Sequence, residues 1–568
     1  MSSNGEVLWM LAVHLALTGA PGVAATLAAM RLGVRDVPLL LAIGLAASGL
    51  AAFIAFWAYF AEPTIGQAWN YVLVLGSVQV GFLAAYRGNL DRELLRQLRI
   101  PLLLWVLGSV FVVYLGFLHG GTDNPLGMSS SRYEGGLPSD NDIPRYFAEW
   151  FAAKGHHGTP PLFPPDWLMS DRPPLQVGYV LSQESITVAD TQSLHYEILA
   201  SVIQQLWIVG LWAVLAAARV RRVTIGLAML AALVSDIAII YGFFVWPKLI
   251  AGAFLLAALA LVISPSWDRW KRDWRVGALL GALLALGMLA HGASIYGVLP
   301  VLIVAAYRGL PSWRWIGAAA LVGIVMMGSW SAYQRYDDPP GNRLIKWHLA
   351  GVEAIDSRGS LETIVDSYRE AGLGGAIEDK WNNVKDITGI ERDSEIKTIY
   401  DNLKHGDVEE AINWIRGYRF FELLPMLGLL LIGPLAMAIR RRHRESEPDW
   451  RFALIGFAYV GIGCFFWALL QWGTPGESSA IIHAGTTAIP LIAIAACVVA
   501  MASVSTGLAI AVVAINALFV LFLYVPAFTP LPGTSYSPIA AILAALGLLG
   551  YAYVAIGGIR RPRPTAPT

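Results

Sequence analysis

Runs of apolar residues long enough to cross a bilayer fall near 8–30, 38–60, 66–86, 101–118, 195–218, 223–244 and 247–264. They recur near 276–291, 294–307, 315–333, 419–439, 452–472, 483–501, 504–525 and 538–558. A helix needs about 20 such residues to cross the hydrocarbon core, so the pattern predicts an all-α, polytopic integral membrane protein with about fifteen transmembrane helices. The pair around His291 reads as two helices or as one long kinked segment, and the alternation of charge between runs favours two.

Taking every second connection gives Arg31 and Arg35; then Arg87, Arg92, Arg96 and Arg99; then Arg219, Arg221 and Arg222; then Arg269, Lys271, Arg272 and Arg275. Arg308 and Arg314 follow, then Arg440, Arg441, Arg442, Arg444 and Arg451, and finally Arg560, Arg561 and Arg563. Short connections rich in arginine lie on the cytoplasmic side, which places the N-terminus outside and the C-terminus inside. Two long segments, 119–193 and 335–417, then fall outside the membrane. Segments 360–387 and 393–417 carry apolar residues at helical spacing between Gly breaks, which predicts a small helical cap on the membrane surface.

Composition agrees with this topology. Of 568 residues 56% are apolar and 14% charged, and the mean hydropathy is +0.57. Fifteen spans of about 20 residues leave nearly half the chain for loops, so the loops hold the chemistry. Lys and Arg number 40 and so do Asp and Glu, and no basic patch interleaves with exposed aromatics, so the lipid bilayer is the implied partner and nucleic acid is not. Cys464 and Cys497 sit in apolar runs and read as small core residues. The N-terminus lacks the positive region of a signal peptide, so no cleavage is expected. Neither large loop contains an N-x-S/T acceptor, which favours a bacterial or archaeal plasma membrane. No sequence repeat of the transporter kind stands out.

The first large loop brings acids and a base together. Asp140 and Asp142 precede a stretch in which Tyr146, Phe147, Trp150 and Phe151 share one face, predicting an interfacial helix with its aromatics in the headgroup layer. Further on, Asp166, Asp171 and Arg172 stand before the rigid pair Pro173-Pro174. Taken singly, Asp140 reads as an N-cap and Asp171 with Arg172 as a solvated turn.

The order D-x-x-R-Y-x-A-E at Asp142, Arg145, Tyr146, Ala148 and Glu149, followed by R-P-P-L at Arg172, Pro173, Pro174 and Leu175, resembles the GT-C superfamily of lipid-linked glycosyltransferases. The closest likeness is to the branch of lipid A aminoarabinose transferases and protein O-mannosyltransferases. There an acid, an R-Y-A-like helix and a K-P-P-L segment follow one another in the first external loop; here Arg172 replaces the lysine and Asn141-Asp142 an Asp-Glu pair. The segments around Lys248 and around His291, Gly292 and Pro300 also resemble family segments, with His291 where the family has a lysine. The likeness covers about 100–420. It takes in a seven-helix GT-C-like module (100–334) with the first external loop and a second external loop forming a helical cap (335–417), while three leading helices (1–99) and five C-terminal helices with a short cytoplasmic tail (418–568) lie outside it.

The resemblance implies inverting transfer of a sugar from a polyprenyl-phosphate donor to a glycan, lipid or protein acceptor of the cell envelope, by a single displacement on the extracytoplasmic face. The acceptor hydroxyl needs a base, for which Asp142 is the first choice and Asp140 the alternative. Arg172 is the leading group for the donor phosphate, since guanidinium stays charged and binds phosphate through two parallel hydrogen bonds. Lys248 and His291 can assist from the bundle, and Arg343 and Lys346, with His348, can close over the lipid head. For Lys248 the competing reading is a snorkelling anchor, and for the Arg343, Lys346 and His348 cluster contact with ordinary phospholipid. Asp166 and Asp171, with Glu477 and His483 at the outer mouth of span thirteen, are secondary or acceptor candidates. No cofactor is required, although Asp140 and Asp142 form a D-x-D-like pair able to hold a divalent cation such as Mg or Mn. Asp236, inside a span, is expected to face the bundle interior in a structural bond. Competing functions are a transporter or flippase of lipid-linked glycans, a glycan ligase, and a silent scaffold.

Overall fold

The computed structural model describes residues 4–86, 90–133, 137–187, 192–390, 393–439, 447–473, 488–526 and 536–557. Among them the chain is helical, with one isolated antiparallel bridge between Phe163 and Trp167 and no named strand. Among the described residues nine helices are long and apolar enough to cross a membrane. Two further pairs reach that length only together: Arg222–Leu233 with Asp236–Phe244, bent by 55°, and Val408–Phe420 with Leu423–Ile439, bent by 108°. Shorter apolar helices occupy Lys248–Ile263, Trp274–Ala290, Gly292–Tyr307 and Ile489–Val504. A helix stands at each predicted apolar run as far as it is described, but the run 419–439 is broken at Glu422 rather than one span and residues 483–487 lie outside the described residues. The segment around His291 is two helices, His291 leaving helical geometry at the end of Trp274–Ala290.

The 55° bend corrects the expectation of an unbroken span over 223–244. Ser235 is extended and its hydroxyl accepts from the Ala238 backbone N–H, which starts a new helix. Asp236, the first residue of that helix, is fully buried and takes a 3.1 Å contact from Arg419. The charge faces the bundle interior, as expected.

The aromatic helix forms over Ile143–Lys154, but its aromatic face points elsewhere than expected. Phe147 and Phe151 are buried in the protein, Phe151 edge-on to Phe56 with ring centroids 5.3 Å apart, rather than set among headgroups. The reason is helix Val37–Ala61, which lies close by and offers Phe56 and Phe60 as partners. The same helix receives Leu175–Glu184 so tightly that a Cβ on Gly178 would stand 2.3 Å from the Ala52 carbonyl oxygen. The leading helices therefore support the loop that carries Arg172.

The second large loop is helical over Arg343–Ala350, Ser360–Thr388 with a break at Gly372, Asp393–His405 and Val408–Phe421. It docks on the end of Glu447–Leu470: Asn383 donates to the carbonyls of Ala468 and Gln471 at 3.0 and 2.7 Å.

Candidate active site

Proline sets the entry to the first site segment. Pro138 is extended, Ser139–Asp142 forms one tight helical turn, and Pro144 occupies the first turn of Ile143–Lys154, where its missing N–H costs nothing. Asn141 is the inward anchor of that turn. Its side-chain amide donates to Ser129 Oγ at 2.8 Å and to the Leu126 carbonyl at 3.2 Å, and its own carbonyl accepts the Tyr196 hydroxyl at 2.5 Å.

The carboxylates on either side of Asn141 consequently diverge. Asp140 accepts from Arg172 at 2.5 Å. Asp142 accepts from Arg145, one helical turn on, at 2.6 and 3.0 Å, and Arg145 also reaches Glu149 at 2.5 Å. A cation held between Asp140 and Asp142 does not fit this arrangement, because each carboxylate is turned to a different arginine. Among the described residues no group of three or more His, Cys, Asp or Glu side chains converges either.

The Arg172 segment is pinned from several directions. The Ser170 N–H donates to Asp338 at 2.7 Å, and Gln334 donates to the Ser170 carbonyl at 2.9 Å. Asp171, buried, accepts from the Leu168 N–H at 3.0 Å and from Arg343 at 3.3 Å. Burial raises the pKa of both Asp171 and Asp338, and for Asp171 the Leu168 N–H and the two arginines oppose that rise. Arg172 itself is extended, the conformation that a following proline favours. Its guanidinium lies 4.0 Å from the ring centroid of Trp167, and that of Arg343 lies 4.8 Å from the same ring. One indole thus positions two cations.

Asp140 and Arg172 line a cavity of about 310 Å³. The remaining wall is apolar apart from Ser170, Asp171, Gln176, His291, Tyr296, Gln334, His348 and Gln471. Tyr296 donates to Gln471 at 3.0 Å, and the Gln471 amide lies 3.3 Å from His348 Nδ1. His291 Nδ1 accepts the Ala293 N–H at 3.2 Å, which leaves Nε2 as the proton-bearing nitrogen of the neutral ring. Lys248 stands behind the Trp246 and Pro247 wall, its ammonium 3.7 Å from the Trp246 ring centroid and 3.3 Å from the Tyr241 hydroxyl. It is within electrostatic reach of Arg172 and Asp140. His348 is pushed down to about 4, first by burial and then by the charges of Arg172 and Lys248, so it is neutral at pH 7.

The predicted residues therefore divide. Asp140, Asp171, Arg172, His291 and His348 line the cavity, with Lys248 just behind. Arg343 is buried in contacts to Asp166 at 2.8 Å and Asp171 at 3.3 Å, and Lys346 is buried on Asp356 at 2.6 Å. Arg343 thereby ties the second large loop to the first, Lys346 closes a turn within the second, and neither lines the cavity. Asp142 faces Arg145 on a separate polar cluster. His483 and Glu477 lie outside the described residues. Trp167, Trp246, Tyr296 and Gln471 were not foreseen: aromatic residues are common in these loops, and Gln471 belongs to the C-terminal helices beyond the GT-C-like stretch.

No family model, curated protein or solved structure matches the chain.

Proposed function

We propose that the chain is a membrane glycosyltransferase that moves a sugar from a polyprenyl-phosphate donor to a hydroxyl of a cell-envelope acceptor on the extracytoplasmic face. One observation carries the reading: the Arg172–Asp140 pair lines a cavity that adjoins an apolar groove between membrane-length helices. Met288 and Met327 border both this cavity and an apolar groove of about 410 Å³ between Trp274–Ala290, Ile295–Tyr307 and Trp313–Tyr336. An amphiphile with one anionic group and a long hydrocarbon tail matches that shape, and the resemblance to GT-C enzymes names such a donor.

The donor phosphate takes the place of the Asp140 carboxylate on Arg172, which binds two of its oxygens. Lys248 is buried behind Trp246 within electrostatic reach of the phosphate position, and His291 Nε2–H and the Gln471 amide are neutral donors in the same wall. Asp140, released from Arg172, accepts the proton of the acceptor hydroxyl as that oxygen attacks the anomeric carbon. The new C–O bond forms as the bond from the anomeric carbon to the phosphate oxygen breaks, and the electron pair leaves on the phosphate. A single displacement inverts the anomeric centre. The base is worth a factor of about 10² to 10⁴, and loss of the arginine a comparable amount. Asp140 replaces Asp142 as the preferred base because it lines the cavity and Asp142 does not, while Asp171, the other carboxylate in the lining, is buried on Arg343 and the Leu168 N–H.

The test is transfer from a panel of labelled polyprenyl-phosphate sugars to membrane acceptors in reconstituted vesicles. Turnover by the wild type that is lost in Arg172→Ala and Asp140→Asn supports the reading; turnover surviving both overturns the site.

A second reading is favoured by the helix broken at Asp236, whose buried contact with Arg419 is the kind of intramembrane ion pair that a flippase of lipid-linked glycans uses. It requires movement of intact labelled donor between leaflets without any new glycosidic bond, measured in the same vesicles.

A further inference from the structure

A second apolar groove, of about 320 Å³, shares no lining residue with the cavity. It runs between Asn4–Arg31, Val37–Ala61, Arg92–Gly116 and Trp207–Ala217, and so involves two of the leading helices that the GT-C-like stretch does not include. Trp105 forms part of its floor, where a Cβ on Gly19 would meet the indole at 3.2 Å; Val23, Leu27, Leu102 and Val106 form its sides.

The dimensions match one leaflet. Along Arg92–Gly116 the lining runs from Leu95 to Val106. At 1.5 Å per residue this is about 16 Å, or roughly half of the 30 Å hydrocarbon core. The one charged lining residue is Arg99, about one helical turn in from Leu95, in the half of the groove nearer the end where Asn4–Arg31 stops and Arg92–Gly116 begins. That end carries Arg31, Arg35, Arg92 and Arg96, and is the one the arginine pattern assigns to the cytoplasm. Arg96 is exposed and paired with Glu93 at 3.1 Å, and Arg31 donates to the Ala84 carbonyl at 2.7 Å. Arg99 is exposed and makes no hydrogen bond or ion pair with the described residues. An apolar slot one leaflet deep with an uncommitted cation in its headgroup-side half has the charge and length of an anionic lipid.

We infer that this groove binds one acyl chain of an anionic glycerophospholipid of the cytoplasmic leaflet, with the lipid phosphate on Arg99. Hydrocarbon fills the slot between the helices, and the guanidinium, facing the headgroup layer, selects for negative charge. The site is independent of sugar transfer and gives the leading helices a role in holding lipid.

The test uses the full chain in detergent, supplied with equal amounts of dioleoylphosphatidylglycerol and dioleoylphosphatidylcholine and then delipidated stepwise, with retained lipid counted by native mass spectrometry. The expected result is one retained phosphatidylglycerol. Arg99→Gln lowers its retention about fivefold, the effect of one basic residue near a lipid surface, whereas Arg96→Gln retains it as the wild type does. Val23→Trp fills the slot and releases both lipids; Leu103→Trp, from the facing wall, repeats the block if Val23→Trp fails to fold. Equal retention of the two lipids by the wild type, or phosphatidylglycerol held undiminished by Arg99→Gln or by the filled variants, overturns the inference.

Discussion

Arg172 reaches back 32 residues to place its guanidinium 2.5 Å from the Asp140 carboxylate, in the lining of the cavity. The pair is mutually neutralised, so an incoming phosphate must compete with Asp140 for the cation, and success frees the carboxylate. In the proposed transfer, binding of the anionic donor and generation of the base are one event. Asp140→Asn should therefore tighten donor binding, because the amide competes less with phosphate, while lowering turnover by about 10² to 10⁴. Donor Kd and single-turnover transfer, measured on the same preparation, check the two halves separately.

Asp142 is the control carboxylate. It is engaged with Arg145 one turn away through contacts of 2.6 and 3.0 Å and does not line the cavity. Asp142→Asn should leave turnover within about fivefold of the wild type. A loss equal to that of Asp140→Asn would transfer the base to Asp142.

Trp167 underlies both Arg172 and Arg343. Removing the ring in Trp167→Leu should cost about 1 to 2 kcal/mol of cation–π contact, seen as a donor KM raised about five- to thirtyfold, with Trp167→Phe recovering part of it. Steady-state kinetics at varied donor concentration decide the matter, since a ring that only stabilised the fold would lower the active fraction and leave KM unchanged.

Arg343 is buried with Asp171, and truncating it strands a buried carboxylate. Arg343→Met should destabilise the protein by about 3 to 5 kcal/mol, and adding Asp171→Asn should return much of that. Thermal unfolding in detergent of the two single variants and the double gives the coupling.

His348 links stability to pH. The folded protein takes up this proton only near pH 4, whereas the unfolded chain takes it up near 6.5. Between those values the unfolded state binds more protons, so this group's contribution is full above about pH 6.5 and is lost as pH falls toward 4, at up to about 1.4 kcal/mol per unit. Unfolding of the wild type at pH 5 and pH 7 should differ by more than that of His348→Gln.

Apolar run length was enough to locate the helices because a bilayer leaves the backbone few other ways to bond. The break at Ser235 was written locally too, as a Ser-Asp helix start inside an apolar run, but run length outweighed it. The site was less legible. Asp140 and Asp142 differ by two positions in a tight turn, and which of them enters the cavity depends on Asn141 finding Ser129 and Leu126. The burial of Arg343 and Lys346 depends on Asp166, Asp171 and Asp356. Of these, Asp166 and Asp171 lie far off in sequence, and no periodicity reports such a pairing. A cation that reads as a phosphate ligand in a loop becomes a tie once its acids arrive.

That tie also sets an order of events at the ribosome. Asp171 and Arg343 are 172 residues apart, and synthesis at about 5 to 20 residues per second separates their emergence by roughly 10 to 35 s. For that interval the Asp171 carboxylate lacks its guanidinium partner, and Ser170 lacks both Gln334 and Asp338. The loop bearing Arg172 is therefore completed late, after helix Trp313–Tyr336 has been inserted, so a nascent chain halted before Arg343 should already hold its early spans yet have no finished cavity.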